Sequence, residues 1–415
     1  MTPDAVLRRL FAVALGAVEP SARVAANLPA PHPQGRTVVV AFGKASQAMA
    51  RGVREAWPDH ALDGLVVTPH GSRSGPSSFE VVEAGHPIPD RFSETAARRA
   101  LALAEELGAE DRLLTLISGG GSALLAAPAP GLTLADKRAA TEVLLRSGAP
   151  VAAVNAVRKR LSAVKGGRLA AAAWPAGVTS LIISDVVGDA PELVASGPTA
   201  ASGEADAEAW RDATPFVPLL SARVRTFLAR PDERPGRTAS SDLRVIARGA
   251  DALDAAAREG ERLGFAVISL GDRVQGEARA VARAHAAEAR RRRAEAPGRP
   301  LLILSGGETT VTVRGQGRGG PNTEYLLALA IALEGEGGVY ALAADTDGVD
   351  GRGPSAGALV GPDTLARAAR LGLDPAARLA DNDAQPVFEA LGDLVTTGPT
   401  GTNVNDFRAI VVFPE

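Results

Sequence analysis

The sequence predicts an α/β protein of two domains, the first built on a parallel sheet. Three observations carry this. Short β-rich runs alternate with Ala-rich helical segments from residue 36 to 187, the pattern of βαβ units. The runs TVVVAFG (37–43), GLVVTPH (64–70), LLTLIS (113–118) and VTSLIIS (178–184) are near-continuously apolar, as strands covered on both faces must be. After a stretch interrupted by Pro215, Pro218, Pro231 and Pro235, a second alternating series begins: LRVIARG (243–249), FAVISLG (265–271), PLLILSGG (300–307), VYALAADTDG (339–348) and DFRAIVVF (406–413). RPDERPGRTASSD (230–242) reads as a linker, giving domains 1–237 and 238–415. At 415 residues the chain is long for one core and comfortable for two.

Composition narrows the function. With 46% apolar residues, 22% charged residues and a net charge of −3, the chain offers no electrostatic footprint for nucleic acid or an anionic membrane. The basic run at 290–293 ends a helix-like Ala/Glu/Arg segment and reads as a solvated helix terminus. There is no cysteine, so disulfides, zinc thiolates and thiol nucleophiles are excluded. None of the five histidines (His32, His60, His70, His86, His285) has HExxH-type spacing. Arg8 and Arg9 precede an apolar stretch, but Asp4, Glu19 and the helical spacing of Val6, Leu10, Val13, Ala14 and Ala17 favour an amphipathic helix over an export signal. No apolar run reaches the ~18 residues a membrane span needs, and a cytoplasmic setting is expected. Of 45 basic residues only Lys44, Lys137, Lys159 and Lys165 are lysine, so these four stand out against an arginine-rich background. Scarce Met and absent Cys fit a heat-adapted source.

Glycine turns carry the candidate chemistry. In LLTLISGGGSALL a strand ends at Ser118, a helix can start near Ser122, and Gly119, Gly120 and Gly121 let a ligand approach the backbone. A tight turn that needs glycine for geometry alone is the other reading. The motif is neither GxxxxGK[ST] nor GxGxxG, since Leu124 takes the last glycine's place. AFGKAS (41–46) puts Lys44 at the start of a helix, where a cation opposes the helix dipole and suits a bound anion. NAVRKRLSAVKGGRLA (155–170) reads as one helix with Asn155, Arg158, Ser162 and Lys165 along a stripe and Lys159 beside it. Either an anionic ligand or solvent can face that stripe. SDVVGDAPELVASGPT (184–199) places Asp185 and Asp189 after a strand, as general base, magnesium ligand or turn-forming residues.

In the second series, Gly306, Gly307, Gly315, Gly317, Gly319 and Gly320 surround Arg314 and Arg318 ahead of a helix opening near Asn322, which reads as a polyphosphate cradle. ADTDGVDG spaces Asp345, Asp347 and Asp350 like half an EF-hand without its closing glutamate, arguing against calcium and for magnesium or polar contacts. TTGPTGTNVNDF (396–407) adds a hydroxyl- and amide-lined turn, and His86 in EAGHPIPD orders a loop or touches ligand.

GKAS, EAGHPIPD, SGGGSALL, the 155–170 segment, SDVVGD…ASGPT, SGGETTVTV…GRGGPN, DTDGVDG and TGPTGTNVNDF follow one another along the whole chain. In this order they resemble the glycerate 2-kinases, two-domain enzymes with a C-terminal MOFRL domain. The resemblance implies a Rossmann-like N-terminal domain, a smaller α/β MOFRL-type domain and an active site in the cleft between them. It implies transfer from ATP to D-glycerate, with Mg2+, giving 2-phosphoglycerate and ADP. Lys44 matches the family's GKA lysine. Many relatives read GGRNQE where this chain has GGPNTE (Pro321 to Glu324), which leaves Arg318 as the nearest substitute for that arginine.

On this reading Lys44, Asp189 (ahead of Asp185 as base) and Arg318 are catalytic. Ser118, Gly119, Gly120, Gly121, Ser122, Asn155, Arg158, Lys159 and Lys165 hold glycerate. Gly306, Gly307, Glu308, Gly317, Gly319, Gly320, Asn322, Thr402 and Asn403 hold nucleotide, and Asp345 and Asp347 hold the metal. The partners are substrate and nucleotide, with room for a homodimer and none for nucleic acid or membrane. A hydroxypyruvate reductase-type oxidoreductase would need a dinucleotide fingerprint with an acidic residue about 20 positions on, and none is present. A non-catalytic small-anion sensor would leave the many candidate carboxylates and cations unexplained.

Overall fold

Six strands between residues 37 and 247 form one all-parallel sheet: β1 (Thr37–Phe42), β2 (Leu62–Pro69), β3 (Glu80–Ala84), β4 (Arg112–Ile117), β5 (Gly177–Ile183) and β6 (Ser241–Ala247). The computed structural model describes residues 1–31, 34–72, 77–201, 203–232, 240–295, 298–351 and 353–414. The strand order β3-β2-β1-β4-β5-β6 is that of a doubly wound dinucleotide-type fold, whose order reverses between β1 and β4. Every residue of β1 is buried, which is why its sequence is apolar without alternation. Helices of small residues cover the faces; Arg91–Glu105 buries Ala96, Ala97, Ala100, Leu103 and Ala104 against the sheet core around Val40, Leu65 and Leu113. Asp90 caps that helix through the Phe92 and Ser93 N–H groups. His70 and the capping N–H groups outweigh burial and draw the Asp90 carboxyl down to about 2.

The remaining strands build a mixed sheet. β7 (Ala266–Ser269), β9 (Leu301–Gly307), β11 (Val339–Asp345), β12 (Gly357–Val360), β13 (Leu394–Val395) and β14 (Asp406–Val412) take the order β13-β12-β11-β14-β9-β7. Only β7 and β9 run parallel. β8 (Gly276–Glu277) and β10 (Thr309–Thr310) make a separate two-stranded ladder. The helix Pro321–Leu333 is apolar nearly all round and accordingly buried on nearly all sides.

The chain divides into two compact units, Pro20–Ala247 and Met1–Glu19 with Arg248–Glu415. The expected boundary at 237/238, and most of the expected linker, lie outside the described residues. The run LRVIARG was expected to open the second domain. It closes the first instead, because β6 is hydrogen-bonded along β5 from Val178↔Ser241 onward. The amphipathic first helix, Pro3–Ala17, belongs to the second unit. It buries Val6, Leu7, Leu10, Phe11 and Ala14, and Phe11 stacks on Phe407 with ring centroids 5.6 Å apart. No helix among the described residues is long and apolar enough to cross a membrane.

Candidate active site

Two of the glycine turns meet at the carboxyl ends of β1 and β4, where the strand order reverses and α/β proteins place their ligands. The Lys44 N–H donates to the Gly119 carbonyl (2.8 Å) and the Ala45 N–H to Ser118 Oγ (3.0 Å). Gly43 has φ +124°, and a Cβ there would stand 2.1 Å from Ser118 Oγ, so only glycine lets the two turns touch. At Gly120 (φ +79°) a Cβ would meet the His86 imidazole at 3.0 Å and Lys44 Cγ at 3.3 Å. An ammonium-bearing side chain and an imidazole therefore flank the bare backbone of this turn.

Ser122, the residue that closes the motif, gathers cations. Its Oγ lies 2.6 Å from Arg158 Nη2, 2.7 Å from Lys165 Nζ and 3.1 Å from Ser196 Oγ. Lys165 Nζ also donates to the carbonyls of Ser122 (2.8 Å) and Ala195 (3.2 Å), and Arg158 Nη1 reaches Asn155 Oδ1 at 3.4 Å. Burial, with Arg158, Lys137 and Lys159 near it, holds the Lys165 amine well below the ordinary lysine range. Burial, then Arg158 and Arg168, brings Lys137 down to about 7. Ser122, Lys137, Arg158 and Lys165 line a cavity of about 550 Å³ walled by Pro87, Ile88, Leu145 and Leu161. The loop after β5 reaches the cluster through Ala195 and Ser196 and carries strained backbone: Asp189 (φ 58°), Ala195 (φ 51°) and Ser196 (φ 63°) are non-glycine residues in the left-handed region. Asp185 and Asp189 are half-buried at the start of this loop.

Of the expected stripe, Arg158 and Lys165 meet at Ser122 with Asn155 beside Arg158, but they do not share one helix and Ser162 does not reach Ser122. The helix Val151–Arg160 ends before Ser162, whose Oγ accepts the Val164 and Lys165 N–H groups (3.2 and 3.3 Å) and so competes with the helical ladder. The resulting turn, rather than helical spacing, aims Lys165 at Ser122. Lys159 does not join them: its Nζ is paired with Asp206 at 2.6 Å in a different cavity, lined also by Arg160 and Trp210.

Lys137 supplies a pH signature. Its proton is held to about 10.5 in the unfolded chain and to about 7 in the fold, so unfolding takes up a proton between those values and rising pH stabilises the fold. Lys137→Met is expected to flatten the rise in melting temperature between about pH 7 and pH 10. An unchanged rise would show that Lys137 titrates normally.

In the second unit the ends of β9 and β11 come together with the start of β14, because both strands flank β14 antiparallel. This edge gathers Gly306, Gly307, Glu308, Asp345, Asp347, Thr402 and Asn403. Thr346 Oγ1 ties it, donating to the Asn405 carbonyl (2.7 Å) and accepting from the Val404 N–H (2.8 Å). The Asp347 N–H donates to Asp345 Oδ1 (2.9 Å), the Val349 N–H donates to Asp347 Oδ1 (2.8 Å), and Thr402 Oγ1 donates to the Val18 carbonyl (3.1 Å).

The glycine-rich loop serves a different purpose from the cradle expected of it. Its Arg314 and Gly315 N–H groups donate to Asn382 Oδ1, that of Gln316 to Asp381 Oδ1 and that of Arg318 to Asp383 Oδ1. A Cβ at Gly315 or Gly317 would strike Asp381 or Asp383 within 2.4 Å. At the helix start the Asn322 and Thr323 N–H groups, which would have faced phosphate, donate to the Asp350 carboxylate (2.9 Å each), and a Cβ at Gly320 would lie 2.4 Å from it. These glycines admit the protein's own acidic segment. Gly319 lies between them, and Arg318 points outward to Glu389 at 3.1 Å with 63% of its side chain exposed. Burial raises Asp350 to about 6, against the pull of those N–H groups.

Sequence reasoning marks Lys137, one of four lysines, and Asp350, the last acid of DTDGVDG, without giving either a place in the site, and it misses Arg408, a charge inside an apolar strand, and Ser196 in ASGPT. Among the described residues no group of three or more His, Asp or Glu side chains forms a metal cage.

Comparison with known proteins agrees with this two-part architecture. A family described as a domain of unknown function (DUF4147) matches residues 6–229, and the MOFRL family matches residues 301–406. A protein of Agrobacterium vitis bearing the provisional name hydroxypyruvate reductase is 47% identical over 412 residues, covering 98% of this chain and 94% of its own. The D-glycerate 2-kinase of Thermotoga maritima is 37% identical over 374 residues, 89% of each chain. The crystal structure of glycerate kinase from Thermotoga maritima superposes with a TM-score of 0.89 at 36% identity, covering 99% of both chains.

Proposed function

The chain belongs to the glycerate kinase family of DUF4147–MOFRL proteins, and we propose that it transfers the terminal phosphoryl group of ATP to the 2-hydroxyl of D-glycerate, giving 2-phosphoglycerate and ADP. The observation that carries this is the Lys44–Gly120–His86 turn at the strand-order reversal, next to the Ser122–Arg158–Lys165 cluster. Phosphoryl transfer asks a protein for alignment and charge neutralisation more than for covalent help. Lys44 is assigned to the charge of the transferred group. Arg158, with Ser122 and the Gly119–Gly121 backbone, is assigned to the glycerate carboxylate. Asp189, held in its strained turn, is assigned the proton of the 2-hydroxyl.

Nucleotide is assigned to the edge formed by Gly306–Glu308, Asp345–Asp347 and Thr402–Asn403. Asn322 joins this edge by donating from Nδ2 to Asp406 at 2.6 Å, and the solvent-facing Arg318 is assigned to a phosphate arriving there. Magnesium is held in such sites by one or two carboxylates with the phosphates, and the backbone-fixed pair Asp345 and Asp347 fits that demand. Bound there, it would neutralise phosphate charge. The consumption of ATP suits a cytoplasmic enzyme. Reductase chemistry is disfavoured because the first strand–helix turn reads GKAS and not GxGxxG.

The test is incubation with D-glycerate, ATP and Mg2+, following ADP and identifying the phosphoglycerate isomer. Stoichiometric ADP and 2-phosphoglycerate are expected. Formation of 3-phosphoglycerate would refute the position of transfer, and NAD(P)H-dependent turnover of hydroxypyruvate without ADP release would refute the kinase reading.

A further inference from the structure

We propose that Ser122, Lys165 and Ser196 form a serine nucleophile of the Ser–Lys type, able to accept an acyl group from small carboxylic esters that enter the cavity above them. The geometry is that of a nucleophile hydrogen-bonded to its base: Ser122 Oγ to Lys165 Nζ is 2.7 Å and Ser122 Oγ to Ser196 Oγ is 3.1 Å.

Proton bookkeeping favours an uncharged amine. A neutral Lys165 has two N–H bonds and one lone pair. The two N–H bonds meet the Ser122 and Ala195 carbonyls at 2.8 and 3.2 Å, which leaves the lone pair for the Ser122 hydroxyl proton. Ser122 Oγ then accepts from Arg158 Nη2 (2.6 Å) and from Ser196, and every group is satisfied. The charges that bear on Lys165 (Arg158, Lys137 and Lys159) are all positive, and the residue is 1% exposed, so an ammonium there would be buried without a counter-ion among the described residues. A lysine kept only for structure would be expected to have a carboxylate partner, as Lys159 has in Asp206.

Access and shape agree. Ser122 faces the cavity of about 550 Å³, whose apolar wall of Ile88, Ala126, Leu145 and Leu161 suits a short acyl or aryl group. In the step proposed, Ser122 Oγ bonds to the ester carbonyl carbon while its proton moves to Lys165 Nζ. The Arg158 guanidinium stands beside the developing oxyanion. The carbon–oxygen bond to the alcohol breaks and the alcohol leaves with the proton from Lys165. Water then attacks the acyl-Ser122, releasing the acid and restoring the serine.

The experiment treats the full-length protein with a fluorophosphonate probe and maps the adduct by peptide mass spectrometry, then follows p-nitrophenyl acetate hydrolysis. Neither ATP nor glycerate is present, so its failure is distinct from failure of the kinase reading. One adduct on Ser122 is expected, with ester hydrolysis above buffer. Ser122→Ala should abolish the adduct, and Lys165→Met should slow labelling by roughly 100-fold or more at an unchanged near-UV circular dichroism spectrum. No adduct, adducts scattered over other serines, or equal labelling of a folded Lys165→Met variant would overturn the proposal. Should Lys165→Met not fold, the position of the adduct in the unmodified chain decides.

Discussion

Lys44→Ala is expected to lower glycerate-dependent turnover by roughly 10²–10³-fold while leaving the melting temperature within a few degrees of the parent. The two effects separate because the backbone and the side chain of Lys44 do different things. Its N–H group holds Gly119, and Ala45 holds Ser118, so the joined turns survive truncation of the side chain. The side chain itself is only half-buried, lying over Gly120 opposite His86. What is lost is a positive charge placed where β1 and β4 diverge, the term on which phosphoryl transfer depends. Lys44→Arg should restore little, because a planar guanidinium cannot occupy the place of a compact ammonium on a flexible stem. Turnover per folded molecule and thermal melts on the same preparation decide the matter. A large drop in melting temperature with activity retained would make Lys44 a structural residue.

How far such a site can be read from sequence depends on who approaches the glycines. The turn at 119–121 was legible, because strand, serine and glycines lie within one stretch and β1 brings Lys44 to it through the strand order. The glycines at 315–320 look the same in sequence, yet their close neighbours are Asp350 and residues 381–383, which no local pattern announces. Glycine marks a close approach without saying whether ligand or protein makes it. The 155–170 segment failed differently. Helical spacing puts Arg158 and Lys165 on one face of a single helix, whereas the Ser162 hydroxyl takes two N–H groups from the helix and the turn it makes brings Lys165 to Ser122 beside Arg158. The run at 243–249 was correctly a strand, but sheet partnership, which a single sequence does not record, assigned it to the first unit.

The largest effect on stability is expected at Arg408. This side chain is 1% exposed in the middle of the second sheet, its Nη2 donating to Asp406 and to Thr309 Oγ1 (3.1 Å), its guanidinium 5.4 Å from the centre of the Tyr325 ring. Asp406 in turn accepts from Asn322 Nδ2 at 2.6 Å and from the Thr309 N–H at 3.4 Å, so one buried ion pair fixes the segments at 309 and 322. Arg408→Ala leaves that carboxylate buried without its cation, at a cost of about 3–5 kcal/mol, or a fall in melting temperature on the order of 10 °C.

The pH dependence identifies the cause. Burial already raises Asp406, and Arg408 is the main influence drawing it down. Without the arginine the folded carboxyl binds its proton more tightly than the unfolded one does, so stability falls as pH rises through the raised value. The deficit of Arg408→Ala against the parent should therefore be smaller near pH 5 than near pH 8. A second variant, Asp406→Asn with Arg408→Met, removes both charges and should recover part of the loss. A deficit that is the same at both pH values, with no recovery in the double variant, would mean that Arg408 contributes through packing on Tyr325 and not through its charge.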